Sequence, residues 1–567
     1  MHRLLRTPAE TGFALVAFFA VLPVAAQQAP DAGRLLQEQP RPQPVAPSRP
    51  SAPTVAPQPA GKPAAGPSLE LRGVRFRGNT LITTAELTSR LQGLIGRQVP
   101  LSELLAAADS LTAYYVERGY VARVSVPPQV VEDGIVEFRV TEGKRGGVHL
   151  ETQGARIDPA RITRFVDAAL PRGALVDLDA LSQVTAILDD LPGLKASTTI
   201  APGGGDGEVD VRLLAEARPP VTFFTGADNS GSRAAGVWIA QAGVALANPL
   251  VGLDRLLVLT NVSEGTRYVR AGYDIALGDR GFVAGLNASA LNYHLVGPAF
   301  AALGARGQAR TWGVTASYPV VRLDEHGLSL TAATDSRHLE DVTVAGVTGD
   351  RKVQAATVGV TGYVVLPAAF PGGTLNYQFG LTRGNVTQRD AAALAADLAA
   401  RATEGSFTKS SWRLELVRLL EGGWLASAKA RGQHAGKNLD SSERFSLGGP
   451  GGVRAYPGGE AMGDEGAVVA LEIQRSLGAA WRVAAFYDAG RIRQNKTVPP
   501  GGIATPNTYS LAGTGLRIEW QPVARTLVAF TLATPVGSNP GRDANGLNAD
   551  GTRSNAARAW LSLAAQF

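Results

Sequence analysis

Apolar and polar positions change their spacing at one point in the chain. From Val221 onward they alternate in twos: Trp412, Leu414 and Leu416 oppose Arg413 and Glu415, and Val469, Leu471 and Ile473 oppose Glu472 and Gln474. The pattern returns where Val269, Ala271, Tyr273 and Ile275 oppose Arg270 and Asp274, and where Ala426, Ala428 and Ala430 oppose Lys429 and Arg431. A strand turns successive side chains to opposite faces, so one side of each segment suits lipid and the other suits water. Charges at alternate positions of a spanning strand are tolerable only if they face an aqueous lumen. Strands are expected to begin near Val221, Ala235, Arg255, Arg267, Phe282, Ala309, Leu328, Lys352, Thr374, Phe407, Trp424, Ala467, Trp481, Tyr509, Thr526 and Ala557. That is about sixteen, an even number, as a closed bacterial outer-membrane barrel requires. The connections agree, with tight turns at 277–280, 421–423 and 478–480 and long ones at 385–405, 434–466, 491–508 and 535–556, all four on one side. A β-sandwich gives no reason for that alternation. The chain ends on a strand in which Leu561, Leu563, Ala565 and Phe567 share a face.

Before Val221 the period is helical. Residues 69–143 read strand, helix, helix, strand, strand, and Leu101, Leu104, Leu105, Ala108, Leu111 and Tyr115 form one apolar stripe that packs a helix on a small sheet. Gly119 supplies the left-handed residue that ends this helix. The same order recurs over 144–218, where Asp158 before Pro159 is a strong helix start. Sheets in such small α+β units have edges able to accept an added strand from a partner. Ahead of them, 27–68 is a Pro-, Ala- and Gln-rich linker. Within it only DAGRLLQEQ, 31–39, has the makings of a helix, with Asp31 as cap; composition alone ranks it as disordered. Arg3 and Arg6, an apolar run and Val24-Ala25-Ala26 mark 1–26 as a secretory signal peptide.

Composition narrows the chemistry. The chain has 567 residues and a formal charge of +6, modest at that length, so nucleic acid is not an expected partner. With no cysteine and six scattered histidines, neither a disulfide framework nor a metal-ligand cluster is expected. No catalytic constellation and no cofactor site stand out. Gly448, Gly449, Gly451 and Gly452 superficially suggest a phosphate loop, but no Lys-Ser or Lys-Thr follows and no strand-to-helix unit surrounds them. The expectation is a protein that is not an enzyme.

The stretch 446–466, SLGGPGGVRAYPGGEAMGDEG, is too long and glycine-rich for a hairpin turn, yet lies between two spanning strands. Val453, Arg454, Ala455 and Tyr456 sit at its middle. Downstream, Phe486, Asp488 and Gly490 share one strand face. The loop is expected to fold back so that Arg454 meets Asp488, since a charge-assisted fork in a narrow lumen can offset the entropy of ordering the loop. The alternative is an arginine exposed at a loop tip, the commoner fate of that residue.

GGPGGVRAYPGGEAMGDEG, the downstream FYDAG, two preceding α+β repeats and the terminal Phe567 together resemble the outer-membrane transporters of two-partner secretion, the haemolysin secretion/activation family. The repeats are similar to POTRA domains. The resemblance implies an all-β transmembrane barrel of about sixteen antiparallel strands (219–567) preceded by two α+β POTRA domains (69–143 and 144–218). It implies a loop arginine, within Val-Arg-Gly-Tyr or a near variant, that reaches the strand aspartate inside the pore; here Ala455 stands where the family has glycine. It also makes 31–39 a helix that plugs the resting pore, and Phe567 the signal read by the barrel-assembly machinery. Implied partners are outer-membrane lipid, that machinery, and a secreted exoprotein with an N-terminal secretion domain, of filamentous adhesin or haemolysin type. The function expected is export of this exoprotein, captured unfolded in the periplasm. A barrel-assembly insertase would have more POTRA repeats, and a diffusion porin or receptor needs none.

Overall fold

The computed structural model describes residues 29–40, 54–55, 67–154, 157–367, 373–503 and 505–567. The signal peptide expected over 1–26, and most of the linker, lie outside the described residues.

Sixteen strands, from Val221–Asp228 to Arg558–Gln566, form one closed antiparallel barrel. Closure pairs the first strand with the last, Phe224 opposite Gln566 and Thr225 opposite Ala565. The Phe567 N–H donates to the Phe223 carbonyl at 2.9 Å. The barrel therefore has no free edge, which in a bilayer would leave backbone groups unsatisfied. Val469, Leu471 and Ile473 face outward and are exposed, while Glu472 is turned in. At one rim the outward face carries Trp481 stacked on Trp520 at 5.6 Å, an aromatic girdle of the kind that marks a membrane interface.

All four long connections lie at the opposite rim, as expected, but two others there are tight: 263–265 and 344–345. The strand expected near Ala235 begins at Ile239. Ala234 and Ala235 are buried inside the rim, and Gly236 at φ 104° turns the chain before the ladder starts.

The first α+β unit packs helices Thr84–Arg90 and Leu101–Glu117 on a three-stranded sheet around Leu104, Leu111, Tyr115 and Phe138. Gly119 is left-handed at φ 83°, ending the long helix. A short strand missed by the pattern, Arg97–Pro100, pairs with Ser68–Leu71. The second unit sets Pro159–Ala169, capped by Asp158, and Leu178–Asp190 on the strands Lys144–Gln153, Leu194–Pro202 and Glu208–Ala217. Its core is continuous with the barrel rim through Leu253 and Ala276. Arg161 donates to the carbonyls of Gly252, at 2.9 Å, and Ala276, and Arg322 pairs with Asp190 at 3.0 Å. The unit is thus seated on the rim of tight turns.

Candidate functional site

Among the described residues, two segments fill the lumen. The first is the connection between strands Trp424–Ala435 and Glu465–Leu477, which folds back into the barrel instead of outward. Its arms pair as a ribbon, Phe445–Ser446 with Met462–Gly463, and its tip is a turn in which the Tyr456 N–H donates to the Val453 carbonyl at 3.1 Å. Gly452 is needed because a side chain there would strike the Leu447 carbonyl.

The tip carries Arg454 to the wall. Its Nε and Nη2 donate to the two oxygens of Asp488 at 2.9 and 2.8 Å, a bidentate fork, and its backbone N–H adds a third bond at 3.0 Å. Nη1 donates to Glu472 at 2.7 Å, and the guanidinium carbon lies 3.4 Å from the centre of the Phe486 ring. Arg454 is 7 % exposed and Asp488 0 %. Burial pulls the arginine toward losing its proton, but the Asp488 and Glu472 carboxylates outweigh that and raise its pKa above the ordinary value. The indole N–H of Trp560 donates to the Arg454 carbonyl at 2.8 Å, fixing the turn from a third strand.

The neighbouring residues make the approach possible. Val453, Ala455 and Tyr456 are buried with Phe486, Tyr509 and Leu511 in one apolar cluster. Ala455 lies against Gly513, where an added Cβ would sit 2.5 Å from the Ala455 methyl; the alanine in this turn is thus accommodated by a glycine across from it. Gly490 has the same role for Leu447, whose Cδ2 would be 2.7 Å from a side chain at 490. The period-two spacing Phe486, Asp488, Gly490 thus sets a ring for the cation, a carboxylate for the fork and a gap for the loop on one face. Phe567 is remote from this group, 69 % exposed on the outer wall.

The second segment is the helix Ala32–Gln37, capped by Asp31, whose carboxylate accepts from the Arg34 N–H at 2.8 Å. Leu35 and Leu36 pack on Tyr268, Leu291, Tyr293 and Leu339 of the inner wall. Arg351 joins three parts of the structure here: it donates to Asp31 at 2.8 Å, to Asp341 of the wall at 2.8 Å, and to Asp440 of the loop. Ser441 donates to Asp31 at 2.7 Å and Gln37 to the Ser441 carbonyl at 2.8 Å. A buried pair between Arg337 and Glu443 anchors the same part of the loop.

Arg351, Asp341, Asp440 and Trp560 were not singled out from the sequence, and Glu472 was marked only as one of the lumen-facing charges. Alternation sets Arg351 on the inward face with Val353 and Ala355, but nothing local distinguishes it from other lumen charges.

The arrangement has parallels in known proteins. The description "Haemolysin secretion/activation protein ShlB/FhaC/HecB" matches residues 207–517, and "POTRA domain, ShlB-type" matches 69–143. The chain is similar to the heme/hemopexin transporter protein HuxB of Haemophilus influenzae strain 86-028NP, 25 % identical over 472 residues, covering 82 % of each chain. Among solved structures it resembles CdiB from Escherichia coli, with a TM-score of 0.67, 21 % identity and coverage of 92 % and 94 %. It also resembles CdiB from Acinetobacter baumannii, with 0.60, 16 %, and 94 % and 96 %.

Proposed function

The chain belongs to the haemolysin secretion/activation family of outer-membrane two-partner secretion transporters, and from that premise we propose how its parts divide the work of exporting an exoprotein. The α+β units stand in the periplasm and take up an unfolded segment of the exoprotein by strand addition. The barrel conducts the chain outward once the helix Ala32–Gln37 and the loop bearing Arg454 move. The observation that carries this reading is the blocked lumen. Its two obstructions are held by side-chain contacts rather than by the barrel ladder, so each can leave without opening the wall.

Strand addition is supported by the second unit itself. Its edge strand Leu194–Pro202 pairs in parallel with Thr54–Val55, so that edge accepts an extended segment through main-chain bonds. No energy source is needed at the pore if the exoprotein folds outside, because a folded domain is favoured by roughly 5–15 kcal/mol and cannot slide back. The barrel-assembly machinery and an exoprotein bearing an N-terminal secretion domain are the partners this reading requires.

Export is the test. Cells making such an exoprotein are compared with and without this chain. Retention of the exoprotein in the periplasm when the chain is removed, and its release on complementation, is the expected outcome. Secretion that continues without the chain would overturn the assignment.

A further inference from the structure

The outer wall carries a charged site that the lumen does not use. Register places Arg310 opposite His338, and His338 opposite Lys352, on the face turned away from the lumen, so one basic row crosses three adjacent strands. Arg389 completes it from just beyond the next strand, where its backbone N–H donates to the Asp350 carbonyl at 2.7 Å. With Trp312 and Ser336 these four side chains line a recess of about 450 Å³.

Its height on the wall is given by the strand Arg306–Arg322. Val320, Tyr318, Ala316, Val314 and Trp312 follow one another on the outward face, and Trp312 is 60 % exposed. At roughly 3.3 Å per residue on a strand tilted by about 40°, the rise from Val320 to Arg310 is about 25 Å, the height of a barrel's apolar band, so Arg310 is the first charge at the edge of the band. Because the second α+β unit seats on the other rim, this is the outer-leaflet side, an orientation that rests on the reading above.

The local charges do not cancel. His338 Nε2 lies 2.8 Å from Asp350 and 3.0 Å from Arg389 Nη1, Asp350 is 4.0 Å from Arg389, and Glu340 accepts from Gln308 at 2.6 Å, so two carboxylates stand against the three cations Arg310, Lys352 and Arg389. The side chains of Arg310 and Lys352 have no hydrogen-bond or ion-pair partner among the described residues, and both residues are exposed. Elsewhere on the same rim, by contrast, Arg493, Lys496 and His434 all converge on Glu465. We propose that the recess binds the phosphorylated headgroup of an outer-leaflet glycolipid. Arg310 and Lys352 hold the phosphate, by fork and by point charge, Arg389 adds to them, and Trp312 lies at the sugar–acyl boundary.

The full-length chain in detergent is titrated with a diphosphorylated glucosamine-disaccharide lipid (lipid A), its dephosphorylated form, and inorganic phosphate, with retention read by native mass spectrometry. The diphosphorylated lipid is retained, and Arg310→Ser with Lys352→Ser weakens it by about tenfold for each charge removed, while heat-modifiable migration shows the barrel intact. Equal retention by the double variant, or equal binding of the dephosphorylated form, overturns the proposal. Competition by inorganic phosphate at equal concentration makes this a free-anion site and also overturns it. Ala345→Cys, the only thiol in the chain, is labelled by an impermeant maleimide on intact cells if the rim faces outward. Failure there, with lipid retention unaffected, refutes the orientation and leaves the recess standing.

Discussion

Replacing Arg454 by alanine removes the tip's fork to Asp488, its bond to Glu472 and its cation from the Phe486 ring in one step. Asp488, fully buried, keeps only the backbone N–H of residue 454 at 3.0 Å. Breaking a buried pair from one side costs about 3–5 kcal/mol, because the remaining charge is left uncompensated. Lumen water reaches the Glu472 side chain, 21 % exposed, and pulls the cost toward the lower figure. A loss of about 3 kcal/mol shifts the ratio of docked to undocked tip by roughly two orders of magnitude. The wall is untouched, since Arg454 belongs to a turn and contributes nothing to the ladder.

The expected variant is therefore an inserted, heat-modifiable barrel whose tip, once it has left the wall, no longer returns to its anchor on Asp488, so that the cycle of loop movement and export is lost. Docking is read separately, from labelling of Ser446→Cys in a chain that has no other cysteine. The Ser446 hydroxyl is buried and unpartnered, so the thiol is shielded while the ribbon is docked and reacts once it leaves. Arg454→Lys keeps the charge without the fork and falls between the two. Normal export by Arg454→Ala, or an unchanged labelling rate, would refute the reasoning that this contact holds the loop for transport.

Three further outcomes follow from the lumen contacts. Arg351→Ala leaves Asp31, Asp341 and Asp440 facing one another without their shared cation, so the helix Ala32–Gln37 should leave the pore and single-channel conductance should rise; conductance equal to that of the parent chain would show the helix held by packing alone. Burial raises the Asp31 pKa, but Arg351, the Arg34 N–H and Ser441 together hold it below the ordinary 3.8, so this contribution to docking is complete above 3.8 and is lost as pH falls through the depressed value. Conductance should climb below about pH 4, and Asp31→Asn should diminish that climb. Gly513→Ala should undock the tip through its clash with Ala455, and adding Ala455→Gly should restore docking; failure of the second change to rescue the first would place the fault elsewhere in the strand.

The wall was readable because its signal is repeated: every spanning strand must alternate, and an error in one is outvoted by its neighbours. Edges were less readable. Ala234 and Ala235 continue the apolar alternation but are buried inside the rim, and Arg97–Pro100 is too short to show a period. The contact of Arg454 with Asp488 could be anticipated because a glycine-rich loop inside a sheet and a carboxylate between Phe486 and Gly490 are each unusual. The residues at 31–39 marked a segment able to form a helix, with Asp31 as its cap, but composition ranked it as disordered. Six residues fall below the length at which a helix is stable alone, and what orders it lies 309 and 320 positions away, at Asp341 and Arg351. Its place in the pore was implied only by family resemblance.

The two obstructions touch, but they are moored at different places, and this sets the order in which they can leave. The helix rests on the loop's outgoing arm, where Gly33 lies too close to Ser441 for any side chain, and Arg351 grips both. Among the described residues no hydrogen bond or ion pair joins 31–40 to Arg454 or Asp488. Withdrawal of the helix therefore leaves the tip's fork intact, and still leaves Asp440 on Arg351 and Glu443 on Arg337. The reverse is harder. An arm that swings out must part Asp440 from the arginine that also holds Asp31, and so disturbs the helix cap. On the proposed mechanism the helix goes first and the loop second, and the intermediate is a pore cleared on the side of strands His326–Thr343 and Gly346–Val365 while Arg454 remains on Asp488.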